Sequence, residues 1–590
     1  MKEFFKYVLA TVVGLIAVFI FGFILFFMVI GIIISSADRQ VSVSENTLLV
    51  LDMERQIVDR APNDPFQNLA IPGLPQSRTI GLDQISQALE KAAHDDRIKG
   101  VYLKLSMFNG GMASVEEIRN ALIAFKDSSN KPVYAYGNQF DQKSYYLATV
   151  SDQVVVHPLG SVDFRGLGVE MMFFAKALDK LGIEMQVVRH GKFKAAVEPF
   201  MLEKMSDENR EQQLVYMESL WNHMLQGISG ARSISVDKLN ALADEIQTFN
   251  FGTAAVESGL VDAAKYKDEV LDDLRKIIGD EDAKEIPVIS VANYVKVPAK
   301  RKSKPFSRNK IAVIYASGDI GISMGSNAII GDQLGKEIRN ARRDSSYKAI
   351  VLRINSPGGS VFDSEIIWRE VKLAAEEKTM VVSFGDVAAS GGYYIAAAAD
   401  QIVAQPNTIT GSIGIFGMIP NFEELLNDKL GITTDVVKTN KNTDFISLTR
   451  PLTDYERNLL QKFIEDGYEL FISHVSNGRN MTKEQVDKIG EGRVWSGENA
   501  LEIGLVDQLG GLQDAIELAA EIEGIENYRT VSLPAQEDPF EQLFKSASDN
   551  IRTKILKNEL GENYRYYEYL QRVSKMNGIY ARMPYDLFLN

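Results

Sequence analysis

AIVLRINSPGGSV (Ala349–Val361) and VVSFGDVAASGGYYIAAAADQIVAQP (Val381–Pro406) have near-copies earlier in the same chain, GVYLKLSMFNGGMA (Gly100–Ala113) and VYAYGNQFDQKSYYLATVSDQVVVHP (Val133–Pro158). At a constant offset Tyr393 pairs with Tyr145, Asp400 with Asp152 and Pro406 with Pro158. A third pair follows, LGITTDVVKTN (Leu430–Asn440) against LGIEMQVVRHGKFKAAVEPF (Leu181–Phe200). The same offset sets Ser390 against Gln142, and after a one-residue shift Lys194 faces Thr443. The framework is duplicated and the chemistry is not, so one site divided between the copies is expected.

Working outward, each copy alternates short β-branched runs with helical patterns, which predicts βαβ units and a largely parallel sheet. The expected strands are Thr47–Asp52, Gly100–Leu105, Pro132–Tyr136 and Gln153–Val156 in the first copy. Lys310–Tyr315, Ala349–Asn355, Met380–Phe384 and Gln401–Ala404 match them in the second. Long helices are expected over Ser206–Ile228 and Thr453–Val475, each opening on a hydroxyl cap and acidic residues. The copies also end alike, in FGTAAVESGLVDAA (Phe251–Ala264) and WSGENALEIGLVDQL (Trp495–Leu509).

The 590-residue length exceeds one ordinary core, and the repeat divides it. Hydrophobic residues at 45% and charged residues at 24% describe a globular chain. A net charge of -15 makes nucleic acid a poor partner. With no cysteine, thiolate catalysis and Cys-ligated zinc are excluded, and the five histidines have no metal-ligand spacing, so no metal is expected. From Tyr7 to Ala37 there is no charged residue, more than enough to span a ~30 Å hydrocarbon core as a helix. The run is too long for the apolar part of a usual secretory signal, so an uncleaved anchor is expected, although Ser35–Ala37 resembles a cleavage site. Lys2 and Lys6 orient the short leading end to the cytoplasm and the remaining chain outside. The resulting division is 1–6 cytoplasmic, 7–37 anchor, 38–295 first repeat, 296–309 basic linker, 310–544 second repeat and 545–590 a Tyr- and Arg-rich tail.

Ser390 stands in AASGGYY, at an expected strand end before a helix starting near Gly391. A hydroxyl there suits an acyl-transfer nucleophile, because helix N–H groups favour negative charge beside it. A serine before a helix is more commonly an N-cap. In SPGG (Ser356–Gly359), Gly359 together with Gly391 offers an oxyanion hole, against the plainer reading of a strand-to-helix turn. A serine nucleophile needs a base, and neither signature contains histidine. Lys194, flanked by Phe193, Ala195, Ala196 and Val197, is placed for burial to lower its pKa, with Lys192 the rival on the same strand face.

These motifs together resemble the long, duplicated form of the bacterial signal peptide peptidase A (protease IV) family of membrane-anchored Ser/Lys proteases. KAAVEPF (Lys194–Phe200) is similar to its base motif and ASGGYY (Ala389–Tyr394) to its nucleophile motif. The resemblance implies Ser390 as nucleophile, Lys194 as general base, Ser412 of TGSIG (Thr410–Gly414) as the serine that orients the lysine, and Gly391 and Gly359 at the oxyanion hole. It further implies tandem crotonase-like (ClpP-like) α/β domains, a bowl-shaped homotetramer at the bacterial inner membrane, no cofactor, and remnant signal peptides as substrate. Two other readings remain from the residues alone: a crotonase-type acyl-CoA enzyme, and a non-catalytic membrane scaffold of the same fold.

Overall fold

In the first copy the β-branched runs form β1 (Thr47–Asp52), β2 (Ile98–Leu105), β3 (Val133–Gly137) and β4 (Gln153–Val156). The next run, β5 (Glu184–Arg189), leaves this sheet, while β6 (Ala263–Ala264) and β7 (Val288–Ser290) close its two edges in the order β6-β4-β3-β2-β1-β7, all parallel. The second copy repeats the plan. β8 (Lys310–Ser317), β9 (Tyr347–Ser356) and β11 (Thr379–Ala389) are its parallel centre, and β12 (Gln401–Ala404) and β13 (Ile409–Gly411) both pair with β11. β15 (Val494–Ser496) adds antiparallel to β13, β16 (Gln508–Leu509) pairs with β12, and β17 (Arg529–Leu533) flanks β8. Helices cover both faces of each sheet, so the central strands are buried on both sides and read as near-continuous apolar runs. The computed structural model describes residues 2–37, 42–62, 79–298, 307–321, 328–536 and 578–583. Most of the basic linker 296–309, and all of the tail 545–590 except 578–583, lies outside those residues.

The duplication extends to individual hydrogen bonds. The Tyr145 hydroxyl donates to the Leu260 carbonyl and the Tyr393 hydroxyl to the Leu505 carbonyl, each at 2.8 Å. Asp152 accepts from the Val133 N–H and Asp400 from the Met380 N–H, again at 2.8 Å. Asp262 and Asp507 each accept from a strand N–H, of Val154 and Ile402, at 2.7 Å. Both copies thus satisfy the same buried polar groups in the same way.

A third sheet crosses between the copies. β10 (Gly358–Ser360), β18 (Gly578–Arg582), β14 (Phe416–Asn421) and β5 stand in that order. β5 pairs antiparallel with β14 from Arg189↔Phe416 to Glu184↔Asn421, which draws a first-copy segment onto the second copy. Buried ionic contacts join the copies as well. Arg353, on β9, donates to Asp59 at 2.8 Å and pairs with Glu117 at 2.5 Å. Asp386 accepts from the Ser114 N–H and hydroxyl at 2.8 and 2.7 Å.

Asp386 also explains the one strand that differs clearly from expectation. β11 continues past Phe384 to Ala389, because Asp386, which breaks its apolar pattern, is paired across the copy interface. The continuation, held by Val387↔Ile409 to Ala389↔Gly411, carries the strand to the doorstep of Ser390. The helices follow the caps: α1 (Lys2–Ala37), α2 (Gln142–Ala148), α3 (Asp207–Arg232), α4 (Gly391–Ala396) and α5 (Asp454–Arg479). Ser206 and Thr453 accept from the N–H groups of Asn209 and Glu456 at the starts of α3 and α5. Among the described residues α1 is the one helix long and apolar enough to cross a membrane, with mean hydropathy 2.6 over its Lys6–Ile24 stretch.

Candidate active site

Ser390 is the hinge between β11 and α4. Its φ of 55° and ψ of -114° are costly for a residue with a Cβ, about 1–3 kcal/mol, and persist only where the surroundings impose them. Its N–H donates to the Gly411 carbonyl and its own carbonyl accepts from the Tyr394 N–H, both at 2.8 Å. The hydroxyl does not cap α4. The commoner reading of a serine before a helix therefore fails here. The strained turn instead aims Oγ away from the helix, toward Lys194.

Lys194 comes from the first copy. The antiparallel β5·β14 pairing ends at Arg189, and the His190 N–H donates to Ile415 at 3.2 Å to extend it. The chain then turns through Gly191–Phe193 and reaches Lys194 just before a short 3-10 turn, Ala195–Val197. Neither Lys192 nor Lys194 is on a strand, contrary to the expectation that they share a strand face, because β5 ends where its partner strand does. Lys192 is exposed and lies 3.6 Å from Glu491. Lys194 is fully buried. Gln212 on α3 fixes the turn by donating to the Phe193 carbonyl and accepting from the Val494 N–H. Gly492 admits the lysine: with φ at 85°, a Cβ there would fall 2.6 Å from the lysine's own Cβ.

Nζ of Lys194 lies 2.8 Å from Oγ of Ser390, 3.0 Å from Oγ of Ser412 and 3.0 Å from the Ser412 carbonyl oxygen. Ser412 has φ 50° and its N–H donates to the Arg493 carbonyl at 2.6 Å. All three side chains are fully buried. Burial holds the Lys194 pKa well below the ordinary lysine range, and the charge of Arg582 pushes the same way. No acidic side chain pairs with this ammonium position among the described residues. With a neutral amine, two N–H groups reach the Ser412 oxygens and the lone pair faces the Ser390 hydroxyl.

Beside Ser390, Gly391 opens α4, where the first N–H groups have no intrahelical acceptor. The glycine packed against it is Gly358: at φ 98°, a Cβ on it would lie 2.6 Å from the Gly391 nitrogen. Gly359 is one step along β10, opposite Ala581 of β18, and its N–H points into that pairing. Sequence reasoning singled out Gly359 and passed over Gly358, whose positive φ is invisible in SPGG.

The corresponding places in the other copies hold no such groups. Gln142, facing Ser390 in the repeat, is buried and uses its amide on the Arg165 and Gly166 N–H groups and the Gly166 carbonyl. Thr443, facing Lys194, is exposed. The divided site expected from the repeat is therefore brought together once per chain.

The profile of peptidase family S49 matches twice, at residues 125–279 and 372–526, once in each copy. The chain belongs to peptidase family S49. It is a serine peptidase with the tandem ClpP-like α/β fold, and a Clp protease profile also matches residues 307–410. Among its S49 relatives, Protease 4 of Haemophilus influenzae is 36% identical over 519 residues, covering 85% of this chain and 83% of the relative. The chloroplastic serine protease SPPA of Arabidopsis thaliana is 32% identical over 557 residues, 92% of this chain and 79% of the relative. A putative signal peptide peptidase SppA of Enterococcus faecium is 34% identical over 217 residues, 36% of this chain and 63% of the relative. An acyl-CoA enzyme and an inert scaffold are set aside by this membership.

Proposed function

We propose that this S49 peptidase is a membrane-anchored Ser/Lys endopeptidase that degrades the hydrophobic signal peptides left after preprotein processing. The observation that carries the mechanism is the 2.8 Å approach of the buried Lys194 amine to Ser390. Lys194 takes the Ser390 proton as Oγ attacks the scissile carbonyl. The oxyanion that forms meets the Gly391 N–H at the start of α4. As the C–N bond breaks, the Lys194 ammonium returns its proton to the leaving amine, and the acyl group stays on Oγ. Lys194 then takes a proton from water, whose hydroxide attacks the ester, and the Lys194 ammonium returns that proton to Oγ as the ester C–O bond breaks and Ser390 is released. Ser412 holds the amine on line through both of its oxygens.

Support for the substrate is the name of the Enterococcus relative, and support for anchoring is α1 with Lys2 and Lys6 at its leading end. On this reading α1 crosses the bacterial inner membrane once, the body stands on the extracytoplasmic side, and the working assembly is a homotetramer. Cleavage of a synthetic signal peptide in detergent micelles, with the full chain, is the direct test. Failure to cut it while an unrelated soluble protein is cut would refute the substrate assignment.

The base must be neutral, so kcat/KM should rise with pH through the lowered Lys194 value and then level off. A profile flat down to pH 4 contradicts lysine as the base. Ser412→Ala removes one acceptor for the ammonium, so the acid limb should move to lower pH while kcat falls by about 10–10²-fold. A purely structural serine would lower activity without moving the limb.

A further inference from the structure

We propose that Glu198, Asn209 and Gln212 are positioning residues of the reaction, a buried one-way relay of hydrogen bonds that holds the base lysine of the first copy in register with Ser412 of the second. The inference rests on the peptidase reading above and names what sets its base in place. All three side chains are fully buried. The Gln212 amide bridges the copies beside the site. Its Nε2 donates to the Phe193 carbonyl, one residue before Lys194, at 3.0 Å, and its Oε1 accepts from the Val494 N–H at 3.1 Å. Val494 follows Arg493, whose carbonyl accepts from the Ser412 N–H. One amide thus ties the turn that carries the amine to the segment that holds Ser412.

An amide satisfies both groups only with its nitrogen toward Phe193 and its oxygen toward Val494; turned over, it sets acceptor against acceptor and donor against donor. The relay fixes that choice. Gln212 Nε2 also donates to Asn209 Oδ1 at 3.2 Å, and Asn209 Nδ2 donates to Glu198 at 2.8 Å. Glu198, inside KAAVEPF, accepts from the Ser206 hydroxyl and N–H as well. A carboxylate only accepts, so this end sets the sense of each bond up to Val494.

The duplication separates this role from scaffold. The buried Tyr and Asp hydrogen bonds described above recur in both copies, and the relay does not. α3 and α5 begin in register at Ser206 and Thr453, which places Glu456, Leu459 and Leu460 opposite Asn209, Gln212 and Gln213. Glu456 pairs with Arg450 at 2.7 Å, and Leu459 is exposed. Carrying the Lys194–Thr443 match onward puts Ser447 opposite Glu198. The relay therefore belongs to the copy that supplies the base. Gln213 is the contrast within it: equally buried, it donates to Asn209 at 3.2 Å but bonds neither Phe193 nor Val494.

The test compares Gln212→Met, Glu198→Met, Glu198→Gln and Gln213→Met with wild type, all as the full chain. Two readouts are taken: the pH profiles of kcat and KM on a fluorogenic peptide, and Tm at pH 7 and pH 10. Gln212→Met and Glu198→Met should lose about 10–10²-fold in kcat with KM little changed. Their acid limb should move to higher pH, because a loosened turn lets water reach the amine and its pKa rises toward the ordinary lysine value of about 10.4. The groups facing that amine, Ser390, Ser412 and the charge of Arg582, are the same in every form. Gln213→Met should lower Tm and leave the limb in place. Glu198→Gln still accepts from Asn209, so it should recover most of the kcat that Glu198→Met loses. An unmoved limb in both Gln212→Met and Glu198→Met overturns the inference, and so does a Glu198→Gln loss as large as that of Glu198→Met. Tm separates this failure from that of the peptidase reading. The unfolded chain holds a Lys194 proton that the folded wild type lacks, so wild-type stability drops from pH 10 to pH 7. A hydrated amine loses part of that difference, so Gln212→Met should fall less over the range than Gln213→Met. That pattern, with no hydrolysis by any form, keeps the relay and refutes the peptidase mechanism instead.

Discussion

Ser390→Ala is expected to abolish peptide hydrolysis, with a loss of about 10⁴–10⁶-fold in kcat and an unchanged fold. The hydroxyl is the atom that forms the covalent bond; the Ser412 hydroxyl also lies 3.0 Å from the amine, but Ser412 does not open a helix as Ser390 does. The substitution also tests the strained turn. Alanine at φ 55° bears the same backbone cost as serine, so Tm should move little. Residual activity above a hundredth of wild type, measured on a fluorogenic peptide, would move the nucleophile elsewhere.

Lys194→Met is expected to match that loss within about tenfold, because nucleophile and base act as a unit and their removals are not additive. Its second expected effect is on stability and has the opposite sign. The folded pKa of Lys194 is depressed, so over the range between it and the unfolded value near 10.5 the unfolded chain holds a proton that the folded chain lacks. Wild-type stability therefore falls as pH drops through that window, by about 1.4 kcal/mol per pH unit from this group alone. Methionine keeps the apolar stem and has no such term. Lys194→Met should thus melt above wild type at pH 7, and its advantage should shrink as pH approaches 10. Equal Tm values at pH 7, or an advantage that does not change with pH, would mean that the lysine is not held neutral. Lys192→Ala, whose lysine is exposed near Glu491, is the control and should keep wild-type activity.

Much of this was legible before any coordinates. Four strands of each main sheet were readable from β-branched runs and turn signals, the α3 and α5 starts from their caps, and the site from an asymmetry between otherwise matched copies; the short strands β6, β7, β13, β15, β16 and β17 were not. What escaped is of three physical kinds. The β5·β14 pairing is a contact between copies, and EMQVVR and FGMIPN carry no mark of their partner. The αL-side geometry of Ser390 and the positive φ of Gly358 arise from tertiary constraint and leave no local trace. Arg353 did leave one, a charge in the middle of AIVLRIN, an otherwise apolar strand run. Read as a buried ion pair rather than an exception, it points to Asp59 and Glu117 and so to the interface between the copies. The β18 strand was unreadable for a different reason: IYAR is too short for its period to stand out in a Tyr- and Arg-rich tail.

The central claim is that Lys194 of one copy activates Ser390 of the other. Covalent labelling with a fluorophosphonate, followed by peptide mass mapping, tests it most directly. Wild type and Lys194→Met are labelled side by side at pH 8. The account predicts an adduct on Ser390 in wild type and no adduct in Lys194→Met. An adduct on another residue, or one on Ser390 that forms equally fast without Lys194, would contradict it.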